Sequence, residues 1–226
     1  MRDAYGMMVL DTLEELIDPR WTALLVVDVQ NDFFHPDGHF GRHGFDLSSI
    51  EKTLPTIRHL VLEGRKLGIP VFLVQQETLP NAASDSPAWR RFKTRDGKSP
   101  NYTTVGSWGW QFDDELDASS ADTIIKKFRP DAFVATHLDQ FLRARGIKTV
   151  VVLGMFTEGC VESTVRGASY HDYYVVVAKD AVASANQILH EGSMRFFEAR
   201  YPLADSKEII NVWRDSTAPK NSSEKI

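Results

Sequence analysis

Only one of the 226 residues is cysteine. A lone cysteine closes no internal disulfide, which excludes a disulfide-stapled scaffold. It also cannot build a cysteine-rich zinc site or hold an iron–sulfur cluster by itself. An excess of basic charge is missing too. Lys plus Arg is 26 and Asp plus Glu is 31, a net charge of −5, against the basic stripe that nucleic-acid binding requires. No apolar run approaches the roughly 20 residues that span a bilayer. The opening MRDAYGMMVLDTLEEL carries acidic residues where a secretion signal needs an unbroken apolar stretch. The expectation is a soluble cytoplasmic protein with neither nucleic acid nor membrane as partner. What is present is an ordinary globular composition, 42% hydrophobic and 25% charged, at a length that suits a single domain, 1–226.

Short continuous apolar runs alternate with helical stripes. Residues 1–20 read as an N-terminal arm. Ala23–Val27, Val71–Val74, Ile124–Lys127, Thr149–Leu153 and Tyr174–Ala178 read as strands buried on both faces. Ile209–Val212 reads as a sixth. Leu47, Ile50, Leu54, Ile57 and Val61 form a helical stripe in which Pro55 predicts a late start or a kink. Shorter helices are expected around Leu138–Leu142, Val161–Ala168 and Ile188–Ala199. The pattern predicts an α/β fold of three layers, αβα, with a six-stranded parallel sheet and helices on both faces. Residues 77–120 show no period and carry several prolines and the aromatics Tyr102, Trp108, Trp110 and Phe112. They read as a lid or substrate insertion. Residues 215–226 read as a disordered tail.

Ligands of such sheets bind beyond the carboxyl ends of the strands. Three residues that could do chemistry stand there. Asp28 directly follows the first strand. Lys127 closes the third, facing away from Lys126 by strand alternation. Cys160 lies where a strand passes through a Gly-bearing loop into a helix. A helix N-terminus there would favour the thiolate and offer backbone N–H groups to an oxyanion. Against this stand the plain readings: a turn carboxylate, a solvated strand-end lysine and an inert buried cysteine. His35, His39 and His43 have i, i+4, i+8 spacing, but Pro36, Gly38, Gly41 and Gly44 interrupt it; the segment reads as a loop, and no metal site is expected. Asn101-Tyr102-Thr103 and Asn221-Ser222-Ser223 match the glycosylation pattern, which without a secretion signal reads as coincidence.

The blocks ALLVVDVQNDFF (23–34), KKFRPDAF (126–133) and GMFTEGCVESTVRGASYHDYYVVVAKDA (154–181) resemble the signatures of the isochorismatase-like cysteine hydrolases. The resemblance covers most of residues 20–200. It implies the six-stranded parallel fold and a catalytic triad of Asp28, Lys127 and Cys160. It further implies a cis peptide at Met155–Phe156, and an oxyanion hole from the N–H groups of Phe156 and Cys160. Asp131 stands where the family usually has a small residue. The metal-ligating Asp-x-His pair of nicotinamidases has no counterpart in QQETLPNAAS (75–84). Siderophore-pathway isochorismatases typically lack the cysteine present here.

GCVESTVR, GSW (106–108) and the loop DGHFGRHGFD (37–46) are most similar to enzymes that hydrolyse ureido and carbamoyl compounds. The implied activity is therefore cysteine-dependent hydrolysis of a C–N bond in a small amide, ureido or carbamoyl substrate. It needs no cofactor and runs in a homo-oligomer, a dimer or tetramer. Asn31, Phe34, Glu77, Tyr102 and Trp108 are the expected substrate-binding residues. The alternatives are a metal-dependent nicotinamidase-like amidase, a silent binding module of the same fold, and a thiol redox sensor.

Overall fold

The computed structural model describes residues 1–95, 97–119 and 121–217. The arm expected at the N-terminus forms a small antiparallel hairpin, β1 (Arg2–Ala4) and β2 (Met7–Val9). The one-turn helix α1 (Leu13–Leu16) follows, with a capping box between Thr12 and Glu15. Strand β3 (Thr22–Val27) leads into two one-turn helices, α2 (Asn31–Phe34) and α3 (His39–Arg42). The segment read as a histidine-bearing loop is thus partly helical. The long helix α4 (Ser48–Lys66) runs straight through Pro55. The proline sits on its exposed face, and Ile50, Leu54, Ile57, Leu60 and Val61 bury the other.

Strand β4 (Val71–Gln76) precedes the insertion, which is not structureless. It holds the helix α5 (Pro87–Lys93) and single 3-10 turns at Pro80–Ala82, Trp108–Trp110 and Asp114–Leu116. Ser86 caps α5 and Pro87 opens it. The remaining elements are β5 (Thr123–Lys127), α6 (Leu138–Ala144), β6 (Thr149–Met155), α7 (Glu162–Tyr170), β7 (Tyr174–Ala183), α8 (Gln187–Glu198), β8 (Leu203–Ala204) and α9 (Ser206–Thr217).

Two expectations fail at the C-terminus. Ile209–Val212 is helical, within α9, and the sixth strand is the two-residue β8. Ile209, Ile210 and Trp213 are all buried, a helical spacing that a four-residue apolar window reads as a strand. Residues 215–217, expected in a disordered tail, also belong to α9. Residues 218–226, with Asn221, lie outside the described residues.

The six strands are ordered β5-β4-β3-β6-β7-β8 and every pairing is parallel. Alternate residues feed two cores. Leu24, Val26, Leu73, Val151 and Val176 face α4 and α9, while Leu25, Val27, Val74, Val150 and Val152 face the side of α6 and α7. Parallel strands covered on both sides need apolar residues at every position, which is why β3 and β6 are buried throughout. Among the described residues no helix is long and apolar enough to cross a membrane.

Candidate active site

The sheet register brings the strand ends together. Gln76, the last residue of β4, pairs with Lys127, the last of β5. Val27 pairs with Val74 on one side and Gly154 on the other. Asp28 follows at φ 52°, in the left-handed region that a non-glycine residue enters at a cost and that recurs at functional sites. A side chain on Gly154 would collide with the Val27 backbone, so β6, which leads to the thiol, can lie this close only with glycine there. After Met155 the peptide to Phe156 is cis. The chain then makes one wide helical turn, Thr157–Val161, before α7. Cys160 lies in that turn.

Asp28 and Lys127 are completely buried. Lys127 Nζ donates to Asp28 Oδ2 at 2.7 Å, to Gln76 Oε1 at 2.9 Å and to Cys160 Sγ at 3.2 Å. One ammonium, with three protons to give, thus joins a carboxylate, an amide and a thiol from three other segments. Gln76 is itself fixed, because its N–H donates to Gln30 Oε1 at 2.8 Å and Gln30 Nε2 returns a bond to the Gln76 carbonyl at 3.0 Å. The sequence marks Gln76 only as one of the strand-end residues 75–77, without a role, and does not mark Gln30. Strand-end position was the available signal for Gln76, but a neutral amide does not stand out among charged candidates.

Burial is the largest influence on all three groups, and it acts differently on each. It pushes the Asp28 carboxyl up, opposed by the Lys127 charge and by hydrogen bonding to the thiol. It works against the Lys127 charge, yet Asp28 and Cys160 outweigh it and the ammonium is held above its usual range. It pushes the Cys160 thiol well up, with Asp28 adding and Lys127 opposing. Burial and Asp28 thus favour the thiol form of Cys160, against the bias towards thiolate that a helix N-terminus gives. Desolvation and the adjacent carboxylate exceed whatever the helix end supplies. Asp28 Oδ1 is buried without a hydrogen-bond partner, an unsatisfied acceptor beside a protonated thiol.

The residues expected to bind substrate divide. Tyr102 lies near the triad: burial is the largest cause that raises its phenol, and the charges of Cys160 and Asp28 add to it. Its ring joins Phe33, Phe40 and Phe156 in one cluster, with centroids 4.9–5.8 Å apart. Phe33 and Phe34 are both buried in the core cluster that faces α4, and Phe33 also packs against Phe40, Tyr102 and Phe156. Asn31 is a clasp, its Nδ2 donating to the Trp108 carbonyl at 3.0 Å. Glu77 is committed, accepting from Trp110 Nε1 at 3.1 Å and pairing with Lys126 at 3.0 Å. The Trp108 ring is 45% exposed and packs edge-on against His35.

The insertion is pinned over the strand ends by these contacts. Gln30 and Gln75 both donate to the Trp110 carbonyl. Buried Asp32 accepts from the N–H groups of Thr103 and His39 at 2.6 and 2.8 Å, and a side chain on Gly109 would collide with its carboxylate. His39 and His43 stack at 4.1 Å beside Tyr102 and Phe40. Among the described residues, no three His, Cys, Asp or Glu side chains converge as a metal cage would need.

Residues 22–205 match the Isochorismatase domain family. A ureidoacrylate amidohydrolase of Methylobacterium radiotolerans is 36% identical over 87% of this chain and 83% of its own length. One of Acinetobacter baylyi is 29% identical over 87% and 85%. Among solved structures, a cysteine hydrolase of Pseudomonas syringae superimposes with TM-score 0.77 at 23% identity, covering 89% of this chain and 96% of that one, a likeness of fold. An N-carbamoylsarcosine amidase of Thermoplasma acidophilum does so with TM-score 0.67 at 29% identity, covering 82% and 96%. This chain belongs to the isochorismatase family, among its hydrolases of non-peptide carbon–nitrogen bonds.

Proposed function

We propose that this enzyme is a cysteine-dependent amidohydrolase of small ureido or carbamoyl compounds, with Cys160 as nucleophile, Asp28 as proton carrier and Lys127 as the charge that holds them. The observation that carries the reading is the single ammonium of Lys127 bonded at once to Asp28 Oδ2 and Cys160 Sγ. A structural ion pair needs no thiol, and an inert cysteine needs neither charge.

A resting thiol needs a base, and buried Asp28, with one carboxylate oxygen unpartnered, suits that role. Asp28 takes the thiol proton as sulfur attacks the carbonyl carbon. The C–S bond forms and the carbonyl electron pair moves onto oxygen. The N–H groups of Phe156 and Cys160 hold that oxyanion; removing one such donor from a hydrolase typically raises the barrier by about 2.7–4 kcal/mol. Collapse breaks the C–N bond, and Asp28 returns its proton to the departing nitrogen, which leaves as ammonia or an amine. Water, deprotonated by Asp28, then attacks the acyl–sulfur bond and restores the thiol. Lys127 stays protonated throughout and keeps the negative charge, which alternates between sulfur and carboxylate, from standing alone in a dry site.

The activities for which the relatives are named, on ureidoacrylate and N-carbamoylsarcosine, support a ureido or carbamoyl group as the part attacked. The test is an ammonia-release screen over ureido, carbamoyl and simple primary amides with the wild-type enzyme and Cys160→Ala. Release from ureido or carbamoyl compounds that disappears in the variant is the expected result. Full activity in the variant would sink the covalent mechanism.

A further inference from the structure

The turn that carries Cys160, Thr157–Val161, closes through a wide bond from the Glu162 N–H to the Thr157 carbonyl. Such turns are rare, seldom stand alone and recur at functional sites. No side chain caps the start of this one. Its shape must be fixed from outside, and three side-chain bonds reach it from the end of β7 and from α8.

Ser184, buried just past β7, donates from Oγ to Glu158 Oε1 at 2.9 Å. It also accepts the N–H of Asn186 at 3.0 Å, the residue whose side chain caps α8. Thr157 Oγ1 and His190 Nδ1 lie 2.8 Å apart. Ser193 Oγ donates to Glu162 Oε2, and Arg166 holds the other oxygen of that carboxylate at 2.7 Å. His190 and Ser193 share by helical spacing the face of α8 that buries Phe197. A helix face turned to a core is ordinarily apolar. Here two of its positions carry polar groups bonded to the turn and to the first residue after it.

The Thr157–His190 bond is the one nearest the chemistry. Thr157 is completely buried, so its hydroxyl depends on a protein partner. Burial holds the His190 pKa below its ordinary value, against Glu158 and Glu191. The neutral ring, with its proton on Nε2, accepts the Thr157 hydroxyl proton at Nδ1. Thr157 directly follows Phe156, whose carbonyl accepts from the N–H groups of Gly159 at 3.0 Å and Val161 at 3.2 Å, on either side of Cys160. A displaced Thr157 therefore shifts the whole turn, and with it the 3.2 Å contact between Cys160 Sγ and Lys127 Nζ.

We infer that His190 is a positioning residue for the nucleophile: through Thr157, it lets α8 fix the turn in the arrangement that sets Cys160 against Asp28 and Lys127. The inference rests on the amidohydrolase reading above for its effect on turnover, and adds a residue outside the triad that sets the rate.

The experiment uses three single variants and one double variant. His190→Ala removes the bond, His190→Asn keeps a polar atom where Nδ1 stood, and Thr157→Val breaks the same bond from its other end with little change of shape. The double variant joins His190→Ala to Thr157→Val. Each folded variant, checked by circular dichroism and assayed well below its denaturation midpoint, is read for kcat and KM on the best compound of the ammonia-release screen. The rate at which iodoacetamide alkylates Cys160 is read in parallel.

His190→Ala and Thr157→Val are expected to lower kcat roughly 10- to 100-fold, the scale of a displacement of about 1 Å at a reacting group. KM should stay within about twofold, and alkylation should slow several-fold. His190→Asn should recover part of both losses. The double variant should be no worse than the poorer single one, because the two changes break one bond. If His190→Ala does not fold, Thr157→Val carries the same test.

The inference is overturned if kcat and the alkylation rate of the folded single variants stay within about twofold of wild type, or if the two losses multiply in the double variant. If wild type hydrolyses no compound of the screen, yet alkylation slows in the single variants and recovers in His190→Asn, the amidohydrolase reading fails and the positioning role stands.

Discussion

At the residue scale, burial governs the behaviour of three titratable groups. Asp28 and Lys127 have no contact with solvent, so each is tolerable there only because of the other. Lys127→Met should therefore abolish turnover and also destabilise the protein by about 3–5 kcal/mol, because it strands a buried carboxylate; urea denaturation reads the second effect. The double variant Asp28→Asn, Lys127→Met removes both charges and should recover part of that stability with no activity. The raised Asp28 carboxyl has a further consequence. The base must be ionised to take the thiol proton, so kcat/KM should fall as pH drops through a value above the ordinary aspartate range. An activity that persists unchanged down to the ordinary range would show that another group takes the proton. At this scale much was legible in advance. Asp28, Lys127 and Cys160 stand out because charged or nucleophilic residues ending buried strands are unusual. Gln76 and Gln30 do not, because their roles depend on which strand lies beside which.

At the element scale the insertion is decisive. It is held by side-chain bonds to its own backbone: Asn31 to Trp108, Gln30 and Gln75 to Trp110, Asp32 to Thr103. Such clasps have no periodicity, and this is why residues 77–120 could not be folded from pattern while α4 and β3 could. Gly109→Ala would drive a methyl group into the Asp32 carboxylate. The expected outcome is faster protease cleavage within 97–119 and a raised KM, with β-sheet content retained by circular dichroism. The C-terminal misreading has the same origin. Trp213 is fully buried and donates from Nε1 to the Ile17 carbonyl at 2.9 Å, a contact 196 residues away in sequence that makes the Ile209–Val212 run helical. Trp213→Ala should cost about 3–5 kcal/mol, read as a shift in the denaturation midpoint.

At the scale of the whole molecule, a parallel sheet with two apolar faces places every chemical group at one edge. The fold class was legible because buried parallel strands need continuous apolar runs and the helices between them need stripes. The strand order β5-β4-β3-β6-β7-β8 was not legible, because no local signal fixes which strand lies beside which. Acid should weaken the whole through His39. Burial lowers its pKa to about 4, with the neighbouring charge of His43 adding. The unfolded chain takes up a proton near the ordinary histidine value of 6.5, while the folded protein resists until about 4. Stability should therefore fall as pH drops from 6.5 towards 4. His39→Gln should flatten that part of a thermal-midpoint profile, and an unchanged slope would remove His39 as the cause.

The proposed mechanism requires Cys160 to become covalently acylated during turnover. The direct measurement is intact-protein mass after rapid acid quench of the wild-type enzyme with a ureido substrate, followed by peptide mapping. One acyl group per chain, located on Cys160 and absent in Cys160→Ala, is the expected result. Turnover with no adduct at any quench time, joined to retained activity in Cys160→Ala, would contradict it.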